Sequence, residues 1–214
     1  SSDLLDIGCG VGDYALGLAR EGYKTTGIDL SDGMIHGAKQ LADKEGLDVS
    51  LYIAPWSEET RQKLGWDKSF DLAYSIFCPI MFDVENIRAM HDASHDTCLW
   101  IAFSERMDET VDMLSEHFFG RDSFPWAGKM KACLDAIHEI GHNVKVMYKT
   151  VPETEVMSLD KAVDYFTMRL HNNEWGTMED MKREIRQLIE PRAIDGKIHN
   201  KTVDTVAWVS WSVK

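Results

Sequence analysis

The sequence predicts an α/β fold: a mostly parallel seven-stranded sheet with helices on both faces. Three observations carry that reading. Short apolar runs alternate with segments of helical period through the first hundred residues. The first apolar run ends in glycines that lead at once into a helix. The second half breaks this rhythm with two long helical stretches before a final strand.

The elements follow in order. Leu4 to Gly8 is the first strand. Asp13 is placed to cap a helix carrying Tyr14, Leu16, Leu18 and Ala19, with Gly22 as its stop. Lys24 to Leu30 is the second strand. Ser31 caps the next helix, where Met34, Ala38, Leu41 and Ala42 recur on one face. Val49 to Ala54, Phe70 to Phe77 and Cys98 to Phe103 are the third, fourth and fifth strands. Asp83 opens the helix between the last two, through Ile87 and Met90.

Residues 104–142 read as mostly helical, with Val111, Leu114 and Phe118 on one face and Cys133, Ile137 and Ile140 on another. Asn143 to Val151 is the sixth strand. Residues 152–202 are helical again. One helix starts at Ser158 and buries Val163, Phe166 and Leu170. Another starts at the capping pattern Thr177-x-x-Asp180, carries Met181, Ile185 and Leu188, and stops at Pro191. Val203 to Val213 is the last strand. Residues 1–214 are therefore expected to form one domain, with helical insertions at about 104–142 and 152–202 covering one site. Neither insertion is long enough to own a core.

Composition excludes several classes. Apolar residues make up 44% and charged residues 28%, which rules out disorder, collagen and coiled coil. No uninterrupted apolar run reaches the roughly 18 residues a membrane helix needs. The 36 acidic residues against 23 basic ones give a net charge of −13, which repels phosphate backbones and disfavours nucleic acid as a partner. Cys9, Cys78, Cys98 and Cys133 are too scattered for a zinc knuckle or redox pair, and no metal site is expected. Reduced thiols, and a start (Ser1-Ser2-Asp3-Leu4-Leu5-Asp6) without a legible targeting segment, point to a cytoplasmic protein.

The informative stretch is Leu4-Leu5-Asp6-Ile7-Gly8-Cys9-Gly10-Val11-Gly12. Glycines there allow positive φ in a tight turn and let the backbone approach a ligand. Asp29 ends the second strand, where an acid can accept both ribose hydroxyls of a nucleoside. The alternative is a tight turn that binds nothing. A dinucleotide fingerprint would need a third glycine where Asp13 stands. The observed spacing is G-x-G-x-G, with Asp6 two residues before the first glycine.

This pattern, with the Asp29-Leu30-Ser31 junction and Met34, resembles the class I S-adenosylmethionine-dependent methyltransferase family. The resemblance is specific through residue 42, weaker to about residue 105, and topological beyond. It implies a Rossmann-like sheet with an antiparallel last strand, S-adenosyl-L-methionine as cofactor and S-adenosyl-L-homocysteine as product. It assigns Asp6 to the methionine ammonium, directly or through water, the Gly8 and Gly10 backbones to the methionine chain, Gly12 to the same turn, and Asp29 to the ribose. Met34 falls to one face of the adenine, and Leu30 joins the cofactor-binding residues. Tyr14 either reaches the carboxylate or packs on its helix. The acid usual after the third strand is displaced in Ala54-Pro55-Trp56-Ser57-Glu58, so Trp56 either stacks near the adenine or covers an apolar surface patch.

In this fold the methyl group faces the loop after the fourth strand, here Ser75-Ile76-Phe77-Cys78-Pro79-Ile80-Met81-Phe82-Asp83. It lacks the Asn/Asp-Pro-Pro-Tyr motif of enzymes that methylate amino groups of bases or glutamine. Phe77, placed with the cofactor residues, joins Met81 and Phe82 as either a desolvated pocket or ordinary core. Collinear positioning alone can supply about 7–11 kcal/mol of the barrier, so a catalytic base is not required. Cys78 and His171 are the candidates for a reacting side chain, with small buried thiol and helix-end residue as their alternatives. His171 stands beside Asn172, Asn173 and Trp175. The function expected is methyl transfer to a small molecule. A non-catalytic S-adenosylmethionine-binding module and a nicotinamide-dependent oxidoreductase are the rivals.

Overall fold

The computed structural model describes residues 2–121, 127–172 and 175–214. Seven strands form one sheet in the order β3-β2-β1-β4-β5-β7-β6. They are β1 (Asp3–Ile7), β2 (Lys24–Asp29), β3 (Val49–Ile53), β4 (Phe70–Ile76), β5 (Ser94–Asp108), β6 (His142–Ser158) and β7 (Lys197–Ser212). The first five pair in parallel, and the last strands run antiparallel. The chain divides into two compact units.

The first unit comprises Ser1–Ser104, Trp126–Tyr148 and Val206–Lys214. Its helices are α1 (Asp13–Arg20), α2 (Asp32–Glu45), α3 (Glu58–Lys63), α4 (Val84–Ala93) and α6 (Ala127–Ile140). Leu5, Ile7, Trp100, Met90, Ile137 and Trp211 belong to its main core. Ile35 and Ala38 of α2 close a smaller cluster with Cys9 and Leu51. Capping follows the sequence at two helices. Ser31 Oγ accepts from the Met34 N–H, and Asp83 Oδ1 accepts from the Glu85 and Asn86 N–H groups. At α1 it does not. Asp13 is the first helical residue, and Gly12 holds the cap position in left-handed conformation. The Gly12 carbonyl already accepts from the Leu16 N–H at 2.7 Å, so the turn itself fixes the helix start.

The second unit comprises Glu105–Pro125 and Lys149–Thr205, with helices α5 (Glu109–Phe119), α7 (Leu159–Leu170) and α8 (Met178–Ile189). Ser158 and Thr177 cap α7 and α8 as expected. The expected insertions differ in one boundary. The two helical faces seen in 104–142 go to different cores: Val111, Leu114 and Phe118 to the second unit, Cys133 and Ile137 of α6 to the first. Neither insertion owns a core alone, but Leu114, Phe166, Met181 and Ile185 pool into one.

A buried polar knot ties α5 to β7 within this unit. Asn200 Nδ2 donates to Asp108 Oδ1 at 3.1 Å, and the Thr110 N–H donates to Asn200 Oδ1 at 3.2 Å. Both side chains are buried. Asn200→Ala removes one of two donors to the buried Asp108 Oδ1, which keeps the Val111 N–H, and strands the buried Thr110 N–H. It is expected to cost about 2–4 kcal/mol in urea unfolding. An unchanged midpoint would show the knot to be decorative.

The long strands exceed their expected ends, which bury only single apolar side chains such as Met157 and Ile198 and so show no apolar alternation. Arg106 and Asp204 form an ion pair at 3.2 Å, and Thr150 meets Thr205 at 3.1 Å. Pro152 sits within edge strand β6, where a missing N–H does least harm. Among the described residues no helix is long and apolar enough to cross a membrane.

Candidate functional site

The strand order reverses direction between β1 and β4, the place where open α/β sheets open a crevice at the strands' carboxyl ends. β1, β2 and β4 end there side by side, at Ile7, Asp29 and Ile76. The Gly8 and Cys9 N–H groups both donate to the Ile28 carbonyl, at 2.8 and 3.1 Å, which straps the turn to β2. Gly8, Gly10 and Gly12 have φ of 74°, 54° and 85°. A Cβ on Gly8 would lie 2.3 Å from Cys78 Sγ, so the turn and the loop after β4 interlock only through glycine.

Asp29 closes the turn from the other side. Its Oδ2 accepts from the Gly10 N–H at 2.9 Å and its Oδ1 from the Ser31 N–H at 2.8 Å. Each oxygen retains a lone pair for a further donor. Asp29 stands on the wall of a cavity of about 170 Å³, lined by Gly8, Ile28, Leu30, Ala54, Pro55, Trp56, Cys78, Pro79 and Ile80. Asn86 on α4 holds two of these segments. Its carbonyl accepts from Trp56 Nε1 at 3.1 Å, and its Nδ2 donates to the Ile80 carbonyl at 3.0 Å.

Asp6 lies two residues back along β1. It is 2% exposed, and its Oδ2 has no hydrogen-bond partner. Burial pushes its carboxyl up to about 7, against the neighbouring Tyr74 hydroxyl and Ala15 N–H, which favour the ionised form; Asp29 adds to the rise. A carboxyl raised this way binds its proton more tightly in the folded state than in the unfolded one. Its contribution to stability is complete below about pH 4 and lost as pH rises to about 7. The ligand-free protein should therefore lose stability on the order of a few kcal/mol across that window relative to Asp6→Asn. Parallel slopes in pH-dependent urea unfolding of the two proteins would contradict this.

The expected residues converge unevenly. Gly8, Asp29, Leu30 and Trp56 line the cavity together with Cys78. Gly10 joins through Asp29, and Gly12 starts α1. Tyr14, Met34 and Phe77 are not among the lining residues; their side chains are 52%, 46% and 45% exposed. Trp56 is no surface cover, because its indole is anchored to Asn86 and buried. Met81 and Phe82 belong to the core. Phe77 has φ of 54°, uncommon for a bulky residue, and stacks on Phe103 with centroids 4.6 Å apart. Burial raises the Cys78 thiol, which keeps it neutral. His171 belongs to the second unit, where its N–H donates to the Thr167 carbonyl at the end of α7. Its neighbour Asn173 lies outside the described residues. Tyr74 and Asn86 escaped the sequence reading, since neither carries a motif.

Residues 4–98 match the family model of the methyltransferase domain. The match spans under half of the chain, and it makes residues 4–98 similar to a methyltransferase domain. Over 75 residues the chain is 35% identical to a protein of Geobacillus sp. (strain WCH70) named as a candidate methyltransferase, covering 35% of this chain and 28% of that one. It is 42% identical over 57 residues to a 23S rRNA uracil C5-methyltransferase of Shewanella amazonensis, covering 26% and 13%. It is also 44% identical over 46 residues to an S-adenosyl-L-methionine-dependent Diels-Alderase of Talaromyces variabilis, covering 22% and 16%. Each alignment spans well under half of the relative's own length. The fold is also that of a protein of Bacillus halodurans C-125 named as a candidate methyltransferase. That likeness has a TM-score of 0.62 and 12% identity and covers 100% of this chain and 93% of that one.

Proposed function

We propose that this chain binds S-adenosylmethionine in the crevice at the ends of β1, β2 and β4 and transfers its methyl group to a small-molecule acceptor. The observation that carries the reading is the buried Asp6 carboxyl with an orphaned oxygen, set behind a glycine turn and an apolar cavity bearing Asp29. A buried, unpaired carboxylate is costly unless a cation arrives. The cofactor carries an ammonium and two ribose hydroxyls, and no pyrophosphate. When bound it supplies a sulfonium-activated methyl carbon, whose bond to sulfur breaks as the acceptor's lone pair forms the new bond.

The chain's own groups do the rest. Asp6 receives the ammonium. The open backbone at Gly10 lies along the methionine chain; a Cβ there would meet nothing within 4 Å. Asp29 accepts the ribose hydroxyls with the lone pairs left by Gly10 and Ser31. Leu30, Trp56 and Ile80 give the adenine apolar walls. Tyr14 and Met34, half-exposed, can turn onto the ligand, whereas Phe77 is held by its stack on Phe103. Cys78, kept neutral, lines the pocket and does not react. Any base is needed only if the acceptor loses a proton. A net charge of −13 favours a small acceptor over an RNA backbone.

Incubation with S-adenosylmethionine carrying an isotope-labelled methyl group and a metabolite extract, read by mass spectrometry, tests the activity. Labelled small molecules and S-adenosylhomocysteine are the expected products. Label appearing only in added RNA would overturn the acceptor class. The Talaromyces relative supports a second reading, in which the cofactor is held without being consumed. Conversion of a metabolite with no label transferred would select it.

A further inference from the structure

Tyr74 of β4 pairs in register with Asp6 of β1, so the two side chains stand next to each other on one face of the sheet. Both are 2% exposed. Neither Asp6 Oδ2 nor Tyr74 Oη has a hydrogen bond of good geometry, although the two groups lie close enough to interact strongly. Two buried polar groups that meet without a well-formed hydrogen bond are costly in a core. Core packing does not explain the hydroxyl, because phenylalanine would fill the same space without it.

We propose that Tyr74 is a positioning residue: its hydroxyl holds the Asp6 carboxylate toward the cofactor's ammonium, so that cofactor capture at this site is coupled to the loss of one proton from Asp6. The inference rests on the cofactor reading above. In the free protein the carboxyl keeps its proton up to neutral pH because burial disfavours the charge. When the ammonium arrives, that proton passes to solvent and an ion pair takes its place. The tyrosine O–H donates to the charged form, favouring release. The other titratable groups facing Asp6 are Asp29 of β2 and the thiol of Cys9; Cys78 follows β4 nearby. Burial raises both thiols, which stay protonated here, so they do not supply the proton lost near neutral pH.

Calorimetric titration with S-adenosylhomocysteine from pH 5.5 to 8.5, in two buffers of different ionisation enthalpy, reads affinity and proton release together. The wild-type chain should weaken about tenfold from pH 8 to pH 6 and release close to one proton at the lower pH. Asp6→Asn should bind weakly with a flat profile and no release. Tyr74→Phe should shift the midpoint upward and bind severalfold more weakly at pH 7, while its affinity approaches the wild-type value at pH 8.5. A uniform loss at every pH, or an unchanged profile, in a Tyr74→Phe protein with wild-type thermal stability would overturn the inference alone. No binding by the wild-type chain at any pH would overturn the cofactor reading and this inference with it.

Discussion

Gly8→Ala is expected to abolish measurable cofactor binding and to destabilise the protein by about 2–5 kcal/mol. Two costs add. A non-glycine residue in left-handed conformation costs about 1–2 kcal/mol. Forcing extra volume into packed structure costs about 1–3 kcal/mol. Gly8 sits at φ 74°, and its Cβ would meet Cys78 Sγ at 2.3 Å and Cys78 Cβ at 2.7 Å. Either the turn leaves β2, where the Gly8 and Cys9 N–H groups share the Ile28 carbonyl, or the loop after β4 moves out. Both motions open the cavity wall. Urea unfolding and ligand titration check it. Cys78→Gly added to Gly8→Ala should restore part of the stability, because it removes the clash and leaves only the backbone term. Full wild-type stability in Gly8→Ala would show that the two loops do not interlock.

Asp29→Ala is expected to weaken binding of S-adenosylhomocysteine a hundredfold or more. Charge-assisted hydrogen bonds contribute about 1.5–3 kcal/mol each, and two ribose hydroxyls are involved. The loss extends to the turn, since Asp29 also receives the Gly10 and Ser31 N–H groups. Asp29→Asn keeps one acceptor and should fall between. Folding should suffer little, because Asp29 is only partly buried and Ser31 is exposed. Affinity within threefold of wild type, in a folded Asp29→Ala protein, would mean that this carboxylate only shapes the turn.

The half of the chain that holds the glycine turn is clearly legible because its signals are local. Glycine spacing, a strand-ending acid and the caps Ser31 and Asp83 each depend on neighbours a few residues away. The family match over residues 4–98 covers the same stretch. What escaped depends on register and long-range contact. Tyr74 meets Asp6 only because β4 pairs with β1 in one register, and a one-residue slip would send it to the other face. Asn86 carries no motif, yet it binds Trp56 and Ile80 from α4. α3 was missed because Glu-Glu-Thr-Arg-Gln-Lys has no apolar period, and only Ser57 and two acids mark its start.

The second half reads less well for a different reason. Its helical faces were visible, but which core each face joins is decided by the fold as a whole. Cys133 and Ile137 of α6 pack with Trp211 in the first unit, whereas Val111 and Leu114 of α5 pack in the second. The extended ends of β5, β6 and β7 bury little apolar surface, so alternation could not announce them.

The most direct test of the central claim is titration of the purified chain, at pH 8, with S-adenosylmethionine, S-adenosylhomocysteine and NADH in turn. The two sulfur compounds are expected to bind at one site per chain, with both signals lost in Asp29→Ala. NADH is expected to give none, because Asp13 occupies the place of the third glycine that a pyrophosphate-binding turn requires. Binding of NADH, with no binding of either sulfur compound, would contradict the account.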